Sequence, residues 1–393
     1  MTEILANIIL RTMILQEAEQ MSLRNEAYQK IAEMWTFPES ESFQKMLDTL
    51  MTDEEASLLL ECTTPVTVPD LARRLNIDEK SLAKKLDSLF KRGLIFRGRT
   101  QYQFRRGRHF GFAGNVVPLD MEEYKIWEKQ WAKENPTREV NSWMETFKKT
   151  GNPIHRVYPS RLAIKSNPSI KREDLLWHED IEQILQRAEI IIAGPCGCRS
   201  GRGMAEPTQL DNNLKSTRCN HPMWNCFQFS KAVLDEARKR GGDMMVYSYD
   251  EAIAKLDEAE LAGLIHEGPG NAAVMPGVIC QCASDCCGML IQSQASGEDM
   301  HALYTPSRFL ATIDLDKCTG CQTCIERCSF GSVEMEKVPG SKKMKAKINP
   351  KECYGCGVCV VGCPQKAIRF DLIRSPEYIP PASAARHTPA PLQ

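Results

Sequence analysis

Apolar positions recur along this chain with two periods, and they outline its elements before any chemistry is considered. Ile4, Leu5, Ile8, Ile9 and Met13 fall on one helical face. Leu71 and Leu75 share one face of a short helix that Asp70 is placed to cap. After a turn at Asn76 and Ile77, a second helix, Glu79–Lys91, presents Leu82, Leu86 and Leu89 at i, i+4 and i+7. Gly93 ends it, and two strand-like pieces, LIFRG and TQYQF, follow. Residues 120–150, with Trp127, Trp131 and Trp143, are helical in pattern. NPIHRVYPSRLAIKS is a strand-like run broken by prolines. Ile190–Ala193 is an apolar strand that turns at Gly194 and Pro195, and AAVMPGVI reads as another. Short strands are predicted around Ile313, Val333, Ile348 and Ile368. The pattern is that of a multidomain α+β chain, with a helical segment at 1–50, a small module at 51–112, a middle domain at 113–305, a compact repeat at 306–374 and a tail at 375–393. The tail carries five prolines and no apolar periodicity, so it is expected to form an extended arm, free or laid on a partner through Tyr378 and Ile379.

Composition changes this picture only through cysteine. With 393 residues, 42% of them hydrophobic, and a net charge of −1, the chain has core enough for several domains and no charge bias toward nucleic acid or membrane. Its start, MTEILANIILRTMILQ, lacks a basic leader and a cleavage site, and no apolar run reaches the length of a membrane span. A cytoplasmic protein is expected. There thiols stay reduced, and 17 cysteines, sixteen of them after position 195, point to metal or redox chemistry. Cys62, in the apolar helix SLLLEC, reads as a small buried hydrophobe.

Two stretches repeat at an offset of 35 residues, IDLDKCTGCQTCIERCSFGSVEM and INPKECYGCGVCVVGCPQKAIRF. Each is C-x2-C-x2-C-x3-C, a run in which three close thiolates wrap one cubane and the fourth serves the other. One [4Fe–4S] cluster is expected on Cys318, Cys321, Cys324 and Cys363, the second on Cys353, Cys356, Cys359 and Cys328. Zinc ribbons would leave the third and fourth cysteines of each half unexplained. Residues 308–372 thus resemble the two-[4Fe–4S] ferredoxins of bacteria, which implies one-electron transfer at low potential. Ser329 stands where that pattern has proline, as Pro364 does in the second half. Between the halves, KVPGSKKMKAK is a solvated basic turn or a docking patch for an acidic redox partner.

Setting aside Cys62 and the repeat leaves two sets of four: Cys196, Cys198, Cys219 and Cys226, then Cys280, Cys282, Cys286 and Cys287. Each begins with C-x-C after an apolar strand-like segment. One or two further iron–sulfur clusters are the favoured expectation, with ligands free to mix between sets; structural zinc and inert thiols are the alternatives. His221 is placed to substitute for a thiolate or only to hydrogen-bond.

Residues 51–106 resemble the winged helix-turn-helix of bacterial regulators, with Glu79–Lys91 as the recognition helix. Between Leu71 and Arg108, twelve Lys or Arg face three Asp or Glu, which suits phosphates. Yet the helix offers no Asn, Gln or Arg for base edges before Arg92, so docking to protein is favoured over reading DNA. Together with PCGCR and ICQCASDCC, the whole resembles a poorly characterised group of iron–sulfur proteins of anaerobes, which implies a redox role without naming a substrate. No nucleotide or flavin fingerprint is present. Three functions remain: an electron relay to a redox partner or oxidoreductase subunit, a redox-sensing regulator, and an iron–sulfur reductase with Arg199 or Asp285 beside its own cluster.

Overall fold

The computed structural model describes residues 26–98, 100–104, 122–137, 139–194, 196–199, 221–241, 244–340 and 342–382. The face Ile4–Met13, Pro195, Cys219, Arg105–Arg108 and residues 383–393 lie outside these. The described residues fall into two compact units. One ends at Trp131 and takes in Lys239–Gly241; the other comprises Ala132–Arg238 and the described residues after Gly242.

In the first unit a helix over 26–35 is followed by helices Glu41–Leu50 and Asp53–Leu60. Strand β1 (Val66–Thr67), helices Val68–Leu75 and Glu79–Lys91, and strands β2 (Phe96–Arg97) and β3 (Gln101–Gln103) complete it. The strands form an antiparallel sheet in the order β1-β3-β2. Leu71, Leu82, Leu86 and Leu89 are fully buried, as their spacing requires, against Phe43, Leu47 and Phe104. Cys62 is in the same core, where burial pushes its thiol up to about 12. One expectation is corrected. Thr67, not Asp70, caps the first of the paired helices: its Oγ1 accepts the Asp70 amide, and Pro69 occupies the first turn. Asp70 sits one turn in, where its carboxylate meets Arg73.

The second unit is built on a seven-stranded sheet. Its strands are β4 (His155–Tyr158), β5 (Ile191–Gly194), β6 (Cys226–Gln228), β7 (Met245–Tyr247), β8 (Ile265–Pro269), β9 (Val278–Cys282) and β10 (Tyr304–Thr305), in the order β10-β4-β8-β9-β6-β5-β7. Every neighbouring pair is antiparallel except β10 with β4. One apolar cluster gathers Ile181, Leu185, Ala193, Phe227, Leu256 and Ile279. Another gathers Trp143, Val157, Ile265, Leu290 and Tyr304 with Tyr354, Cys356 and Val358 of the repeat. The repeat adds two ladders, β11 (Phe309–Ile313) with β14 (Ile368–Leu372) and β12 (Val333–Lys337) with β13 (Met344–Ile348), close to the predicted strand positions. Residues 375–382 do not leave as a free arm. A short helical turn at Pro376–Tyr378 precedes buried Ile379, and the Ala273 amide donates to the Pro380 carbonyl at 2.8 Å. No helix among the described residues is long and apolar enough to cross a membrane.

Candidate iron–sulfur centres

Two thiol groups form in the repeat, each crossing between its halves. Cys318, Cys321, Cys324 and Cys363 line one cavity, walled by Ile313, Ala346 and Ile368. Cys353, Cys356 and Cys359 gather with Cys328: burial raises the Cys356 and Cys359 thiols, and the neighbouring sulfurs, Cys328 among them, raise them further, Cys356 to about 12. Backbone amides point at sulfur in matching places. Ser332 N–H lies 3.3 Å from Cys328 Sγ, and Ala367 N–H, 35 residues on, lies 3.3 Å from Cys363 Sγ. Gly320 and Gly355 hold positive φ, and a Cβ on either would collide with a carbonyl oxygen, of Met344 and Phe309 respectively. Four converging thiols, amide donors to sulfur and a close-lying backbone fit a [4Fe–4S] cluster in each group. Cys321 is the exposed member; Cys353, Cys356 and Cys359 are buried.

The middle cysteines do not assemble as the two sets that follow each other in sequence. Six thiols hydrogen-bond in a closed circuit running Cys196, Cys198, Cys287, Cys282, Cys280, Cys226 and back to Cys196. Strand geometry explains much of this. Cys280 and Cys282 are not in a loop beyond their strand but on β9 itself, two residues apart and therefore on one face. Extending the β6–β9 register from Phe227↔Ile279 places Cys226 beside Cys280. Cys196 follows β5, its amide held by the Met223 carbonyl at 2.8 Å, and Cys287 caps helix Gly288–Ala295. Around the circuit the protonation preference alternates. Contact with neighbouring sulfurs favours the thiolate at Cys196, Cys280 and Cys287, which lie below the usual thiol value, and the thiol at Cys198, Cys226 and Cys282, which lie above it. Cys196, Cys282 and Cys287 are buried, and Cys198, Cys226 and Cys280 are half-buried.

Two buried ionisable side chains, Arg199 and Glu267, flank the circuit. Arg199, 1% exposed, donates to the carbonyls of Pro222 and Gln281, to Asn225 Oδ1 and, at 3.3 Å, to Cys286 Sγ. Burial pulls its guanidinium down, but the sulfurs of Cys196, Cys286 and Cys226 outweigh this and keep it charged. Glu267, directly across the ladder from Cys280, accepts from Cys282 at 3.2 Å and Cys287 at 3.7 Å. Burial, then the charge of Cys287, pushes its carboxyl well above the usual range. Sequence reasoning missed Glu267, which stands beside His266 in the short buried strand β8. Cys286, His221 and Asp285 form a separate group within 4.8 Å of one another, with His221 Nε2 at 3.3 Å from Asp285 Oδ1. His221 therefore stands outside the six-thiol circuit.

The residues fit a metal–sulfur centre on three counts. Thiolates are the ligands iron–sulfur clusters take. Six sulfurs this close together reach the all-thiolate state only with bound cations, since uncompensated thiolates repel one another away from water. The buried Nδ2 of Asn225 and Nε1 of Trp224, adjoining Cys226, also lack partners among the described residues, and such donors are what sulfide accepts from. No curated protein and no solved structure matches the chain. Residues 281–367 match the family model of a 4Fe–4S dicluster domain, a span that opens at Gln281, between the β9 cysteines, and closes after Cys363. This part of the chain carries a ferredoxin-like iron–sulfur domain of the electron-transferring kind.

Proposed function

We propose that the protein relays low-potential electrons between a donor and a partner oxidoreductase, through two [4Fe–4S] clusters and a further iron–sulfur centre on the middle cysteines. The observation that supports this best is the order of the three thiol groups. Cys321 reaches the surface. Cys356 of the second group shares an apolar cluster with Cys282 and Cys287 of the circuit, and Phe330, Tyr354 and Tyr304 lie among them in a run of stacked and edge-on rings. A [4Fe–4S] cluster supplies a one-electron couple of low potential. The chain's own residues would hold one group at the surface and keep water from the others. Cysteine ligation as paired above, with Cys328 and Cys363 crossing between halves, is part of this reading.

The first unit reads as a winged helix that docks to protein. Several of its basic side chains are already neutralised: Lys85 by Glu54, Lys91 and Arg97 by Asp87, Arg74 by Glu61 and Arg73 by Asp70. This reduces the excess charge available to a phosphate backbone, and so weighs against a DNA-binding regulator.

The test is metal and sulfide analysis with EPR on anaerobically purified, dithionite-reduced protein. The expected result is iron and sulfide above the amount two cubanes need, with coupled [4Fe–4S]+ signals; Cys328→Ala should remove the signal of the cluster completed by Cys353, Cys356 and Cys359. Stoichiometric zinc on the middle cysteines with no iron there would overturn the reading.

A further inference from the structure

The circuit has more thiols than one cubane accepts. A [4Fe–4S] cluster has four iron corners, each taking one thiolate, so a single cluster here would leave two of the six sulfurs without metal. A circuit of six also divides evenly, three thiols and three. Cys226 lies beside Cys280 across the β6–β9 ladder, and Glu267 reaches Cys282 and Cys287 as well as its own ladder partner Cys280.

We infer that the six thiols Cys196, Cys198, Cys226, Cys280, Cys282 and Cys287 hold one composite centre, two iron–sulfur cubanes joined through a shared sulfide, with three of the thiols on each. The inference rests on the iron–sulfur reading of the middle cysteines given above. Two joined cubanes each surrender one corner to the bridge and keep three, which is the number of thiols in each half. Zinc also binds six cysteines as a pair of ions. Iron is favoured because Cys282 and Cys287 share an apolar cluster with Cys356 of the second repeat site, the setting of an electron carrier. Cys286 is excluded, since its sulfur turns to Arg199 and to the His221–Asp285 pair.

The experiment is a series of single Cys→Ser substitutions in the full-length chain, produced and purified anaerobically and read by iron, zinc and sulfide content, with EPR and Mössbauer spectra. Because a chain that fails to fold loses every cluster together, persistence of the ferredoxin-pair signal certifies each variant. The unsubstituted protein should contain about 16 iron, four cubanes' worth, rather than about 12. Each of the six substitutions should weaken the same spectral component, while Cys286→Ser leaves iron content unchanged. About 12 iron with two of the six substitutions silent would mean a single cubane; that would overturn this inference and leave the relay standing. About 8 iron, or zinc in the middle domain, would overturn both.

Discussion

The repeat exchanges residues at positions where the backbone is left-handed. Gln322 has φ 69° where its counterpart Gly357 has 82°, and Gly331 has 67° where its counterpart Lys366 has 48°. Gly357 has no freedom to vary, because a Cβ would lie 2.7 Å from that of Ala163 and 3.1 Å from the Phe370 ring. Gly357→Ala should therefore cost about 2 kcal/mol or more, whereas Gln322→Gly should gain roughly 0.5–1 kcal/mol; thermal midpoints of the intact holoprotein decide both. His178 gives a pH-dependent case. It is 6% exposed, and burial, then Arg156 and Arg308, depress its ring to about 4. The unfolded chain takes up a proton near the ordinary value of 6.5, while the folded one does so only near 4. Stability is thus full above pH 6.5 and is lost as pH falls toward 4. The thermal midpoint should drop across that window, and His178→Gln should flatten the drop; an unchanged slope in the variant would assign the loss elsewhere. At this scale the sequence was informative wherever local chemistry decides. Spacing alone led to the expectation that Cys328 and Cys363 would lie with the thiols of the opposite half, where they are found. The cap was misplaced by three residues because Thr67 and Asp70 are both good caps, and only the path of the chain chooses between them.

Among elements, the helix Glu79–Lys91 was legible to the residue, since its apolar period and Asp78 cap act locally. Strand β9 was not. AAVMPGVI suggested a strand ending before the cysteines, yet Pro276 and Gly277 break that run and the strand starts at Val278, carrying Cys280 and Cys282 as inward-facing residues. Pairing partners far along the chain settle such questions, and short-range pattern does not contain them. Thr67→Ala should destabilise the first unit by about 1 kcal/mol through its lost cap, a shift visible in its amide exchange. The basic stretch between the repeats is the β12–β13 hairpin. Some of its lysines serve the protein itself, Lys347 pairing with Glu336 at 2.5 Å and Lys345 donating to the Cys318 carbonyl beside the surface-reaching thiol group. Lys337→Glu and Lys342→Glu together should slow reduction by an acidic electron donor about 3- to 10-fold at low salt, the gap closing as salt rises. Stopped-flow rates equal to the unsubstituted protein at low salt would remove the hairpin from the docking surface.

Taken as a whole, the second unit joins what composition presented as separate domains, since Cys356, Val358 and Tyr354 of the repeat are buried with Leu290, Leu303 and Tyr304 of the middle region. Sequence periodicity reports which face is apolar and is silent about which faces meet, so this merger was not legible. Residues 375–382 belong to the same unit. Truncation after Arg374 should cost about 2 kcal/mol by uncovering the site of Ile379, a loss that differential scanning calorimetry reads. The seven-stranded sheet has a seam at its middle. β6 and β9 are matched over only two residue pairs, whereas β8 and β9 share three and β4 and β8 share four. Cys196, Cys198 and Cys226 come from one side of that seam, Cys280, Cys282 and Cys287 from the other. A metal centre held by these thiols would therefore also be a rivet. Chelation or oxidative loss of metal should let the sheet part along β6 and β9, with amide exchange accelerating first at Phe227 and Ile279. A cell starved of iron would then hold a chain marked for proteolysis at its centre rather than a dormant carrier, so that abundance itself would track metal supply.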